Sequence, residues 1–338
     1  MFGEHLAVLA AAMILDVAVG DPAWLWRRLP HPVSLVGRLV SGFDRAFNRT
    51  GRRPWLLKAL GAMTVTLLLI AALAVGALIE LALAAIPYGW VATAIVISVL
   101  LTGRDLWNRA RAIAKAFETG GLDAARAAFA LLPGDSAGLD EARLCRATIE
   151  KVACGFADGL VAPVFWFALF GLPGLLACKA VNVADAAVGH LSLRHRDFGW
   201  ATARLDDFFN LPAGRIAGHL ITLAAPLAGG SVAGARAVMR RDAPRHRSAN
   251  AGWPEAAMAS ALGVTLGGPR RYSGILVDDV YLNAAGRREA IPGDIRRALK
   301  VYVGAGVILL AIVALATGAF LLAGKADFRW LLPGWARA

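Results

Sequence analysis

Residues 59–79, ALGAMTVTLLLIAALAVGALI, contain no charged side chain and no proline. About 20 such residues in a helix cross the hydrocarbon core of a bilayer, where only segments that satisfy their own backbone hydrogen bonds survive. This one run, flanked by Lys58 and Glu80, commits the chain to a helical membrane protein. Composition agrees: 58% of the 338 residues are hydrophobic and the mean hydropathy is +0.57, too apolar for an ordinary soluble enzyme. Other apolar runs follow the same logic. Residues 4–20 are interrupted by Asp16 and stopped at Gly20-Asp21-Pro22; residues 90–102 and 301–323 are clean. Residues 160–178 are broken by Pro163 and by Gly171-Leu172-Pro173-Gly174, and residues 216–229 are short. The expectation is an all-α polytopic integral membrane protein, a single membrane-embedded domain over 1–338. It has about four spanning helices (4–20, 59–79, 90–102, 301–323), a broken or re-entrant central segment, and cytoplasmic amphipathic helices. Asp16 is either hydrated near the interface or holds a structural or site role.

The formal net charge of +12 comes mostly from arginines lying between the apolar runs. The positive-inside rule explains them better than nucleic acid does, with anionic lipid or anionic substrates second. The connection between 59–79 and 90–102 carries no Lys or Arg, whereas the loops on either side are rich in both. That places 22–58, 104–159, 179–215 and 236–300 in the cytoplasm and the amino terminus outside, as in a multi-pass protein of the cell inner (plasma) membrane with a cytoplasmic active face. Lys325 and Arg329 in the tail run against that orientation. The MFGEH start has no basic n-region, so no cleavable signal peptide is expected. Cys145, Cys154 and Cys178 have neither disulfide-framework nor zinc spacing. Residues 35–47 read as an interfacial amphipathic helix, 104–131 as two amphipathic helices broken at Gly120-Gly121, and 139–154 and PEAAMASAL as further helices. Gly267-Gly268-Pro269 is a tight turn, or a weak phosphate-binding signal.

Residues 178–210 set Lys179, Asn182, Asp185, Arg204, Asp206, Asp207 and Asn210 directly after an apolar run. Such groups are destabilising beside a membrane unless paired, hydrated or used. The stretch reads either as a solvated cytoplasmic loop or as the polar floor of an active site at the membrane surface. Asn182 and Asp185 are one helical turn apart and share a face if the segment is helical. His31, between Pro30 and Pro32, has a restricted backbone; it is a structural histidine, or one that binds an anion or relays a proton.

In order along the chain stand GDPAWLWRRLPHPVSLVGRL, ADGLVAPVFW, KAVNVADAAVGH, FGWATARLDDFFNLPAGR, SANAGWPEAAMASALGVTLGGPRRYSG and GDIRRAL. On these motifs the chain resembles the CobD/CbiB family, the adenosylcobinamide-phosphate synthases of cobalamin biosynthesis, almost end to end. The resemblance implies an amide ligase. It joins aminopropanol, or its O-phosphate, to the propionate carboxyl of adenosylcobyric acid, giving adenosylcobinamide (phosphate), with ATP activating the carboxylate and Mg²⁺ accompanying the ATP. Such a site tolerates polyanions, orients an amine and keeps water from an activated acyl group. The resemblance casts Asp206 and Asp207 as Mg²⁺ or amine ligands, and Lys179 and Arg204 as partners of phosphate or developing negative charge. Asn182 and Asp185 join them, with Asp21, His31, Glu150, Asp158, Asn210, Ser248, Asn250 and Glu255 as substrate contacts. Against this, Asp206 reads equally as a cap, Arg204 as its internal partner, and Glu255 as a first-turn acid after Pro254. The implied partners are the corrinoid, the aminopropanol, the bilayer and other cobalamin-pathway proteins, but no nucleic acid.

The chain also departs from the family pattern. Pro133-Gly134-Asp135 replaces G-R-D, and Ala153-Cys154-Gly155 replaces A-E-N. Val183, Ala186 and Ala187 replace Thr, Ser and Met, and Ala249 replaces the proline of S-P-N. Lost polar groups at the motifs motivate an alternative: a catalytically impaired relative acting as a membrane scaffold or regulatory partner. A transporter with charges at mid-membrane is a third reading, disfavoured by the basic soluble region and the lack of repeats.

Overall fold

The computed structural model describes residues 2–20, 26, 28, 30–131, 138–189, 192–272, 275–277 and 279–323. Asp21, Pro133-Gly134-Asp135, Lys325 and Arg329 lie outside the described residues. In chain order the helices are α1 Phe2–Ala18, α2 Pro32–Phe47, α3 Pro54–Ala84, α4 Gly89–Leu100, α5 Gly103–Phe129 and α6 Glu141–Phe156. A π turn, Ala157–Val161, leads into α7 Ala162–Val188; then come α8 Trp200–Ala224, a 3₁₀ turn Ala225–Ala228, α9 Val232–Asp242, α10 Gly252–Leu262 and α11 Pro292–Leu322. The described strands are β1 Leu266–Gly267, β2 Arg270–Tyr272, β3 Ile275–Val277 and β4 Tyr281–Leu282. Their antiparallel pairs, β1 with β4 and β2 with β3, leave the all-α character intact. Four helical stretches among the described residues are long and apolar enough to cross a membrane: Pro54–Ala84, Gly89–Phe129, Glu141–Val188 and Pro292–Leu322. The run expected at 4–20 forms a helix of 17 residues, short of the usual span of about 20.

The chain divides into two compact units. The first takes the described parts of Met1–Leu101, Ala162–Asn210 and Val313–Ala338. Here α3 and α2 pack along α7, and α1 packs on α4 and α7. The centre is Val40, Leu68, Ala180, Ala184, Val188 and Phe198. Asp16 on α1 is buried, so it is not simply hydrated at an interface.

The break foreseen in 160–178 is real, and its physics is local. Pro173 has no N–H to donate and disfavours helix in the residue before it. Gly171 absorbs the turn with φ 62° and ψ −151°, and the helix restarts at once. Leu172 N–H, freed by the break, donates to Glu80 Oε2 at 2.8 Å, and His5 Nε2 lies 3.3 Å from Glu80 Oε1. Gly76 on α3 makes room: a Cβ there would meet Pro173 Cα at 2.6 Å. Glu80 is thus the cap of a broken helix as well as the end of an apolar run.

The second unit takes the described parts of Thr102–Val161 and Leu211–Ile312. Its centre is α10, buried from Pro254 to Ala259 and packed on α6 and α9. Asp140 caps α6 by accepting from Arg143 N–H at 2.8 Å, and Ser231 caps α9 by accepting from Gly234 N–H at 3.0 Å. α5 breaks at Gly121 (φ 65°), where the glycine pair predicted it. Gly267 and Gly268 have φ 71° and 83°, but their N–H groups donate to Glu150 Oε1 (2.8 Å) and Val280 O (3.0 Å). The GGP stretch is a turn; those donors are already used.

Candidate functional site

The expected site residues fall into two groups, one in each unit. In the first unit, Lys179, Asn182 and Asp185 recur every three residues on α7, so they line one face. Lys179 is only 6% exposed. A lysine so placed is held by the fold rather than by water, which argues against the solvated-loop reading of this stretch. Among the described residues the Asn182 side chain makes no hydrogen bond, which leaves its amide for a ligand.

The turn between α7 and α8 is closed tightly because glycines permit it. A Cβ on Gly199 would collide with Val188 O, and one on Gly189 with the Asp185 carboxylate. The intervening turn is tied down by Asp44 of α2. It accepts from Arg194 Nη2 at 2.8 Å and Asn48 Nδ2 at 2.8 Å, and faces His195 Nε2 at 3.3 Å. Trp166 Nε1–H donates to Phe209 O at 2.9 Å, fixing α8 against the first half of α7.

On α8, Asp206 Oδ2 accepts from Asn210 Nδ2 at 2.9 Å, and Arg204 Nη1 sits 3.4 Å from Asp207 Oδ2. Arg204 therefore pairs with Asp207, not with Asp206 as the internal-pair reading had it. Asp207 lies close enough to Asp185 of α7 for their like charges to repel. His31 is the N-cap of α2: its Nδ1 accepts from Val33 N–H at 3.1 Å, and Trp26 packs edge-on to its ring at 4.4 Å. That geometry is the structural alternative weighed for His31.

No group of three or more His, Cys, Asp or Glu among the described residues is placed to hold a metal ion. Mg²⁺ that arrives with a nucleotide needs only one or two carboxylates, the rest of its shell being water and phosphate. Two carboxylates from different helices whose charges repel fit that requirement, and Asp185 with Asp207 is such a pair. Asp206, the expected companion of Asp207, is engaged by Asn210 as Asp207 is by Arg204.

In the second unit, Glu255 is 5% exposed and carries the cluster. Cys154 Sγ–H donates to its Oε1 at 3.0 Å, and His246 Nε2 stands 3.6 Å from Oε2 and 3.5 Å from Asp279 Oδ2. His246 Nδ1 accepts from Ser248 N–H at 3.1 Å, while Ser248 Oγ accepts from Ala251 N–H at 3.2 Å at the entry to α10. Asn250 is buried beside them. Asp158 is the second residue of the π turn, a rare geometry that recurs at functional sites. Glu150 gives one oxygen to Gly267 and so serves the turn. Sequence reasoning missed His246 and Asp279. The first stands two positions before Ser248 and was legible as a motif neighbour; the second joins by a long-range contact that no local pattern announces. Cys154, read as a cysteine without a spacing motif and as a departure from the family pattern, supplies a hydrogen bond to Glu255.

The family model of the CobD/Cbib protein matches residues 9–302. Cobalamin biosynthesis protein CobD of Sinorhizobium fredii is 43% identical over 323 residues, 94% of this chain and 99% of that protein. The protein of the same name from Rhizobium meliloti is 42% identical, covering 94% of this chain and 98% of its own length; that from Rhodobacter capsulatus is 38% identical, covering 88% and 92%. No solved structure matches. The chain belongs to the CobD/CbiB family.

Proposed function

We propose that this member of the CobD/CbiB family forms an amide bond between aminopropanol, free or O-phosphorylated, and the propionate carboxyl of adenosylcobyric acid at the expense of ATP. The broader role, in cobalamin biosynthesis, follows from its relatives, which carry that name. The observation that carries the finer reading is the face of α7: a buried lysine, an amide with no hydrogen bond among the described residues and a carboxylate at successive turns, next to the acids of α8.

Each group has a task in acyl transfer. Lys179 neutralises negative charge as the carboxylate is activated, where a low-dielectric setting makes a fixed cation most effective. The Asn182 amide orients a carbonyl or phosphate oxygen. Asp185 and Asp207 hold the ammonium of the incoming amine and accept its proton, or hold Mg²⁺. When bound there, Mg²⁺ supplies charge neutralisation for the phosphates. Activation moves a phosphoryl or adenylyl group from ATP to the carboxylate oxygen; the amine nitrogen then bonds to the acyl carbon, and phosphate or AMP leaves with that oxygen. The impaired-scaffold alternative rests on the altered motifs, among them Cys154, which donates to Glu255 where the family pattern has a Glu.

Carboxylate-labelled [¹⁸O]adenosylcobyric acid tests the route. The label is expected in phosphate or AMP in step with amide formation. Amide formed with no label in either would refute ATP activation. Corrinoid bound without any amide would favour the scaffold.

A further inference from the structure

Within the second unit a groove of about 760 Å³ opens between α5 and α11. Arg111 and Lys115 line it from α5, and Arg296 and Lys300 from α11. Its one acid, Glu118, is already paired with Arg296. Among the described residues Arg111, Lys115 and Lys300 form no ion pair. The groove is therefore a concentration of unneutralised positive charge around a hollow, and it calls for an anion.

What kind of anion follows from the groove's other wall. Lys300 is the last charged residue before the apolar run of α11. Directly beyond it Val303 and Val307 are 48% and 60% exposed, and Leu227 beside them is 56% exposed. Cations at the mouth and bare aliphatic side chains below match a molecule that is anionic at one end and hydrocarbon at the other. A nucleotide fits less well. The one aromatic ring, Trp107, is already engaged by the guanidinium of Arg111 at 5.0 Å and of Arg104 at 5.6 Å, so it is a poor stacking platform for a base. A free phosphate would leave the aliphatic wall without purpose.

We propose that this groove seats the phosphodiester headgroup of an anionic phospholipid, its acyl chains lying along Val303, Val307 and Leu227. The proposal does not depend on the amide-ligase reading.

Delipidated full-length protein in a neutral detergent, titrated with phosphatidylglycerol and followed by native mass spectrometry, tests this. One tightly bound phosphatidylglycerol is expected, with phosphatidylcholine much weaker. The Arg111→Gln/Lys115→Gln/Lys300→Gln protein should bind it at least about tenfold more weakly. The control Arg236→Gln/Arg240→Gln/Arg288→Gln, which removes the same charge from other exposed positions, should bind as the wild type does. Equal binding by the groove variant and the wild type would overturn the proposal. So would equal loss in the control, which would mean diffuse attraction. Displacement of the lipid by inorganic phosphate or glycerol phosphate at matching concentration would also overturn it, because the occupant would then be a soluble anion. If the triple variant does not fold, the preference of wild-type protein for phosphatidylglycerol over phosphatidylcholine decides, and its absence sinks the idea.

Discussion

Gly189→Ala tests the junction of α7 and α8 more sharply than removal of any charged group. A methyl group at this position lands on the Asp185 carboxylate, and it lies only 2.8 Å from the Asp185 carbonyl oxygen. Residue 189 cannot simply swing away, because its N–H donates to that same carbonyl at 2.7 Å. Overpacking of this kind costs about 1–3 kcal/mol, a fall of a few degrees in Tm. The softest neighbour is the Asp185 side chain, so strain is relieved mainly by turning that carboxylate away from Asp207. Thermal unfolding in detergent should therefore show a modest loss, while ligase turnover falls by at least about tenfold. Adding Asp185→Ala removes the side-chain part of the clash. The double variant should be more stable than the sum of the single losses, by about 0.5–3 kcal/mol, yet no more active. Wild-type Tm and turnover in Gly189→Ala, or strict additivity in the double variant, would refute the geometry and with it the role given to Asp185.

Other perturbations follow from single contacts. Glu80→Ala leaves Leu172 N–H without its acceptor at the α7 break and should cost about 1–3 kcal/mol, read as a lower Tm; an unchanged Tm would mean the cap contributes nothing. Asp242 is buried and takes two hydrogen bonds from Arg241; these, opposed by burial and aided by the Asn283 N–H, hold its carboxyl below the ordinary value of 3.8. A depressed pKa stabilises the fold above that value and stops doing so as pH falls through the folded pKa. The stability gap between wild type and Asp242→Asn should therefore be full at neutral pH and narrow only below about pH 4, and a gap that grew on acidification would contradict the pairing. Lys179→Ala and Asp207→Ala should each abolish product while leaving a folded protein by circular dichroism; retained turnover would remove those residues from the chemistry.

Much of the architecture was legible because its causes are local. Apolar length marked the membrane-grade helices, and glycine and proline marked the breaks at Gly121 and Gly171. The spacing of Lys179, Asn182 and Asp185 placed them on one face once the segment proved helical. What escaped depends on partners far apart in sequence. Glu80 looked like the charged end of a span, yet it caps a helix 92 positions away. Asp44, within the helix read only as amphipathic, is buried and ties down the turn that carries Arg194 and His195. His246 and Asp279 join Glu255 only through the packing around α10. Hydrophobic periodicity carries no record of such polar pairings.

The most direct test of the proposed ligation is the mass of the corrinoid after purified protein is mixed with adenosylcobyric acid, aminopropanol phosphate, ATP and Mg²⁺. A gain equal to the amine less one water, dependent on ATP, is the predicted result. An unchanged mass, with the protein folded and an active relative turning over beside it, would contradict the ligase and leave a non-catalytic member of the family.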